Sequence, residues 1–233
     1  MEGQGLTRSR MSRRETAAAL CWLPMHVFLL PLVLLRLFPG MSDADLNLWV
    51  FTVGAAALTL LCLGFLRRDF DRLCERPGLV LLQVFVGFVL MMLGGDLVGL
   101  LMRLFGDLLK PQENPNNAAL AALADRERGK VAAISLFLAP LVEELIFRGG
   151  LFGLLRRRSR ALAYLCGILL FAVYHVWQYA LLDPVQWLYL LQYVPAAWAL
   201  CRVYEKTETI WTPLLLHMLN NGLSLWFMNL LGG

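Results

Sequence analysis

Seven long apolar runs, most of them fenced by arginine, constrain this chain more than any other feature of its sequence. They fall at 17–38, 45–66, 78–105, 131–155, 161–181, 184–201 and 210–231. The longer ones match the roughly 20 residues that an α-helix needs to cross a hydrocarbon core about 30 Å thick. Backbone amides find no water there, so a spanning segment must be a helix or part of a closed barrel, and apolarity this continuous selects the helix. The expected fold class is therefore all-α: a polytopic transmembrane helical bundle of about seven to eight spans. The eighth element is a short interfacial helix at 118–124, and the long third run is expected to tilt or break at Gly94-Gly95. A chain that is 59% hydrophobic and only 16% charged, with mean hydropathy +0.62, is not an ordinary soluble domain.

The arginines give an orientation. Arg8, Arg10, Arg13 and Arg14 precede the first run, Arg67, Arg68, Arg72 and Arg76 follow the second, Arg156, Arg157, Arg158 and Arg160 follow the fourth, and Arg202 and Lys206 follow the sixth. The loops at 39–44 and 182–183 carry no lysine or arginine, so the excess of cations over cytoplasmic loops places the N-terminus inside. The linker 106–130, with Lys110, Arg126, Arg128 and Lys130, departs from this pattern. Residues 1–16 are a basic cytoplasmic segment, and 17–233 form one transmembrane domain whose first run is too long for a signal-peptide core and remains as a span. The net charge of +4 resides in these loops, and no nucleic-acid motif accompanies it. Cys21, Cys62, Cys74, Cys166 and Cys201 have neither metal nor disulfide spacing and are expected as small core residues.

Against this apolar background, Glu143, Glu144 and Arg148 stand out. A charge near the bilayer centre costs roughly 2.5–3.5 kcal/mol on insertion scales, so intramembrane charges usually face the bundle interior and serve a function. Glu144 and Arg148 are i, i+4 on one helical face and can neutralise each other, whereas Glu143 points about 100° away with no dedicated cation. That leaves Glu143 as the candidate base. Pro140, three residues earlier, is expected to kink the helix. Phe171 and His175 share a face of the fifth run, and His217 and Asn221 share a face of the seventh. At about 1.5 Å per residue from the arginine-bearing ends, these groups lie roughly 12–23 Å deep and are expected to meet in the middle or cytoplasmic half of the membrane, with a site opening that way. His26 reads as an interhelical hydrogen-bonder.

The set Glu-Glu-x-x-x-Arg, Phe-x-x-x-His and His-x-x-x-Asn, in that order and with Ala139-Pro140 and Phe147-Arg148-Gly149 flanking the acids, resembles the CPBP family. These are the CAAX-protease and bacteriocin-processing intramembrane endopeptidases, also called the Abi family. The resemblance covers 131–222, which it makes the catalytic core, and it implies peptide-bond hydrolysis in a membrane-associated protein or peptide substrate. Carried over, Glu143 with His175 activates a water, and His217 with Asn221 stabilises the oxyanion. Glu144 and Arg148 complete the catalytic set. The metal-free, glutamate-dependent reading is preferred, with a divalent ion such as zinc on Glu143, His175 and His217 as the alternative. The expected location is the bacterial inner membrane, as an integral protein in contact with the lipid bilayer, with a monomer favoured because the small-residue stripes read as internal packing. The competing class is a non-catalytic scaffold or immunity-type protein that uses the same cluster for helix packing. A transporter is a weaker reading, resting on Asp96. Otherwise Asp96 is expected to be buried with an intramolecular partner such as Arg103, and Gly95-x-x-x-Gly99 and Gly149-x-x-x-Gly153 to serve internal packing.

Overall fold

The computed structural model describes residues 9–104 and 114–231, with side chains as far as Phe227. Arg8, Lys110 and Gly232-Gly233 lie outside the described residues. The described chain is helical, with no strand: α1 (Arg13–Leu37), α2 (Asp43–Leu61), α3 (Leu63–Glu75), α4 (Pro77–Leu104), α5 (Pro115–Ala133), α6 (residues 134–156), α7 (Arg160–Leu182), α8 (Leu190–Thr207) and α9 (Trp211–Leu231). A 3-10 turn, Pro184–Tyr189, joins α7 to α8. Among the described residues each apolar run of the sequence is mainly helical, the sixth beginning in the 3-10 turn. Among the described residues, α1, α2, α4 and α7 are long and apolar enough to cross a membrane by themselves. The other three runs, on α6, α8 and α9, carry the polar residues that form the interior of the bundle or its ends.

Local chemistry sets the helix ends. Ser12 opens α1 with a reciprocal capping box to Glu15, Ser42 and Ser159 accept the first free amides of α2 and α7, and Asn114 and Asp183 do the same for α5 and the 3-10 turn. Glu208, in the left-handed region at φ 54°, stops α8. Three expectations change. The arginine-rich stretch after α2 is an amphipathic helix, α3, because Phe65, Leu66 and Asp69 share an inward face. The third run does not break at Gly94-Gly95, and α4 continues through it. The short element at 118–124 is part of the longer α5, whose one non-helical residue, Glu127 (φ −136°, ψ 47°), bends it.

Small residues let the helices close. A Cβ on Gly87 would meet Val203 and Leu216 at 2.6 and 2.7 Å, one on Gly94 would meet Pro195 at 2.8 Å, and one on Gly149 would meet Met11 at 2.5 Å. The packing face of α4 is thus Gly87 and Gly94. Gly95 and Gly99 face open space, and Asp96 is exposed with no partner among the described residues, so the expected internal packing and buried pair do not form there. Of the cysteines, Cys62 and Cys201 are buried, while Cys21 and Cys74 are exposed.

The arginine-bearing ends gather at one end of the bundle. Arg68 pairs with Glu15, Arg157 donates to the Met11 carbonyl, and Arg156 and Arg160 both hold Glu205. Asp69 of α3 ties this end together, accepting from the Ser9 hydroxyl at 2.6 Å and the Ile210 amide at 2.8 Å and pairing with Arg72. At the opposite end Lys130 pairs with Asp45 at 2.8 Å, which neutralises one cation of the linker that broke the pattern.

Candidate active site

Pro140 organises α6. The helix widens to a π-turn at Ile134–Leu138, in which the Ala139 amide bonds back five residues to the Ile134 carbonyl. Continuing that pattern, the Ser135 carbonyl would take the amide of residue 140, and proline has none. The Ser135 carbonyl instead accepts from Asn221 Nδ2 at 2.9 Å. Because a carbonyl can only accept, this bond fixes which end of the Asn221 amide points inward. A second π-segment, Glu144–Phe152, starts at the second acid. The expected kink is therefore a pair of π-turns bracketing Pro140 and Glu143, an arrangement frequent at functional sites.

Glu144 and Arg148 lie below the surface of the site, at 1% and 0% exposure. Arg148 Nη1 donates to Glu144 Oε1 at 3.0 Å, as the i, i+4 spacing predicts, and the guanidinium lies 4.3 Å from the centre of the Phe171 ring. The same Glu144 oxygen accepts from His217 Nδ1 at 2.8 Å. This three-way sharing was not visible in the sequence, because α6 and α9 are 73 residues apart at this contact.

Glu143, by contrast, reaches a cavity of about 640 Å³ together with His175, His217 and Asn221, whereas Glu144 and Arg148 do not line it. Glu143 Oε2 lies 3.8 Å from His175 Nε2 and 3.9 Å from His217 Nε2, and has no hydrogen-bond partner. His175 Nδ1 is 2.8 Å from the Phe171 carbonyl, so it carries the proton, and the lone pair of a neutral His175 sits on Nε2, facing Glu143. Tyr193 stacks on the His175 ring at 4.6 Å and fixes its plane. The motif reading missed Tyr193 because a tyrosine in an apolar run carries no spacing signal. His26 also lines the cavity, with Nδ1 unpartnered, which is not the satisfied hydrogen-bonder expected.

Glu143, His175 and His217 are the residues that would hold a divalent ion, and all three line the cavity. A tetrahedral centre with bonds of about 2.0–2.1 Å holds neighbouring donors roughly 3.3–3.4 Å apart. The observed separations are wider, and as arranged no three His, Cys, Asp or Glu side chains among the described residues form a metal-holding group. The cavity's direction also differs from expectation. Its floor is Glu143 and His217, both buried, and its exposed lining, Asn47, Asn117, Gln178 and Ser224, lies toward the end of the bundle that carries the Lys130–Asp45 pair. The arginine-bearing end is plugged below the site by Arg148, Phe147 and Leu216.

The model of the Rce1-like family, described as type II CAAX prenyl endopeptidase Rce1-like, matches residues 130–223. That segment holds every residue of the cluster. Over that segment the chain is similar to the CAAX prenyl endopeptidases. Searches of the curated proteins and of the solved structures return no match. The match lies on the segment that carries the three motifs, and it supports the CAAX-type intramembrane endopeptidases as the general class that this segment resembles. The remaining helices, α1 to α4 and most of α5, lie outside the match, and of these α1, α2 and α5 line the cavity.

Proposed function

We propose that this protein hydrolyses a peptide bond within the membrane with Glu143 as the general base. The observation that carries this reading is the convergence of Glu143 Oε2 with the His175 and His217 Nε2 atoms at 3.8 and 3.9 Å on the wall of a water-sized gap. One water in that gap donates one hydrogen to Glu143 and the other to the His175 Nε2 lone pair, which aims its oxygen at the substrate carbonyl. As the carbon–oxygen bond forms, the proton passes to Glu143, and on collapse of the tetrahedral intermediate Glu143 returns it to the leaving amine. Asn221 has one amide hydrogen committed to Ser135 and a second free for the oxyanion. His217 serves the same oxyanion when Nε2 is protonated, its charge then lying against Glu144. Glu144 and Arg148 act as positioning residues, holding the His217 ring from beneath.

The decisive experiment compares membrane-protein termini in cells carrying the wild type and Glu143→Gln, which keeps the shape but cannot take the proton. A precursor should accumulate and its processed terminus disappear, while the purified variant keeps its melting temperature within about 2 °C, the behaviour of a change worth less than ~1 kcal/mol. Unchanged processing in the variant would remove Glu143 as the base.

A further inference from the structure

We propose that the scissile bond reaches the site from the outer face of the membrane, carried on an uncharged, extended segment of an exported or membrane-anchored protein. This rests on the endopeptidase reading above and adds the side of access and the chemistry of what enters. Apart from α5, which carries Arg126, Arg128 and the Asp45-paired Lys130 at the mouth end, each helix that walls the cavity does so with the part distant from its arginine-bearing end. On α1 the lining begins at His26, thirteen residues beyond Arg13; on α7 it runs from Tyr174 to Tyr179, far from Arg160; on α9 it extends from His217 to Leu225, away from Trp211. On α2, which runs the other way, the lining is Leu46 to Phe51 near the start of the helix. The positive-inside bias puts the arginine cluster in the cytoplasm, so the mouth opens outside.

The chemistry of the mouth fits a peptide backbone. Among the described residues its walls carry no lysine, arginine or aspartate, and the polar groups above Glu143 are amides and hydroxyls such as Asn47, Asn116, Asn117, Gln178 and Ser224. Side-chain amides offer both donors and acceptors, as an extended backbone requires, and a charged residue entering here would find no counter-ion short of the catalytic cluster. Asn116 is held ready by Tyr193, its Nδ2 donating to the phenolic oxygen at 3.1 Å, so the wall of α5 and the His175 stack form one surface.

The test uses the full-length protein with its five cysteines replaced. Single cysteines are introduced as Asn117→Cys and Ser224→Cys at the mouth and Arg158→Cys at the arginine-bearing end. A membrane-impermeant maleimide added to right-side-out spheroplasts should label the two mouth positions at least tenfold faster than position 158, with the order reversed in inverted vesicles. Faster labelling of position 158 in spheroplasts overturns the proposal. In parallel, the termini lost in Glu143→Gln cells should lie in segments outside the cytoplasm and be free of charge next to the cut. Loss of a cytoplasmic terminus sinks the side of access but leaves the endopeptidase reading intact. Outward labelling with no terminus changed sinks the endopeptidase reading, and the proposed substrate with it.

Discussion

At the scale of single residues, the two adjacent acids do different work because their neighbours differ. Glu143 faces the cavity with an unpartnered oxygen, while Glu144 is shared between Arg148 and His217 beneath it. Glu144→Gln leaves Arg148 as a buried cation without its partner, and breaking such a pair costs about 3–5 kcal/mol. The melting temperature in detergent should therefore fall. Activity per folded molecule should fall as well, because the His217 ring loses its anionic acceptor. Adding Arg148→Met removes the stranded charge and should restore a part of the lost stability without restoring activity. Recovery of full activity in the double variant would show that Glu144 does not position His217.

At the scale of elements, α6 and α4 make opposite uses of local geometry. In α6 a missing amide hydrogen at Pro140 leaves the Ser135 carbonyl to Asn221. Pro140→Ala supplies a competing backbone donor, so it should release the Asn221 side chain. Turnover should then drop toward that of Asn221→Ala, where loss of one oxyanion donor costs about 2.7–4 kcal/mol, while stability holds or rises. Turnover within threefold of wild type would disconnect the proline from the site. In α4 the question is packing. Gly87→Ala drives a methyl into Val203 and Leu216, and such overpacking costs about 1–3 kcal/mol. Gly95→Ala meets nothing within 4 Å and should gain up to about 1 kcal/mol of helix propensity. Thermal unfolding of the two variants should move in opposite directions, and equal shifts would contradict the assignment of the packing face.

At the scale of the whole molecule, Asp69 joins the N-terminal segment, α3, and the start of α9 at the arginine-bearing end, outside the spans. It faces Ser9, the Ile210 amide and Arg72, with Arg68 and Tyr204 nearby. Burial pushes its carboxyl up from 3.8 to about 6 against the pull of those donors. The native state therefore holds the proton over a range in which the unfolded chain has released it. Stability from this group is greatest below pH 4 and is lost as pH rises to about 6. The melting temperature of the wild type, relative to Asp69→Asn, should decline across that window. A rise instead would mean that the hydrogen bonds outweigh desolvation.

The helices, the family resemblance and the members of the buried polar cluster were legible in the sequence because each leaves a periodic or local mark: apolar runs of bilayer length, acids beside a cation at i+4, and histidines paired one turn from Phe171 and Asn221. Even the i, i+4 pairing of Glu144 with Arg148 survived, since a helix sets it without help from the rest of the chain. Contacts between helices leave no such mark. The sharing of Glu144 with His217, the stacking of Tyr193 on His175, the spare face of Gly95 and Gly99, and the inward face of α3 all depend on which sides of distant helices meet. Depth along a helix was readable at 1.5 Å per residue, but the direction in which the cavity opens was not. It is decided by which end of the bundle is filled, here by Arg148, Phe147 and Leu216, and which is left to side-chain amides.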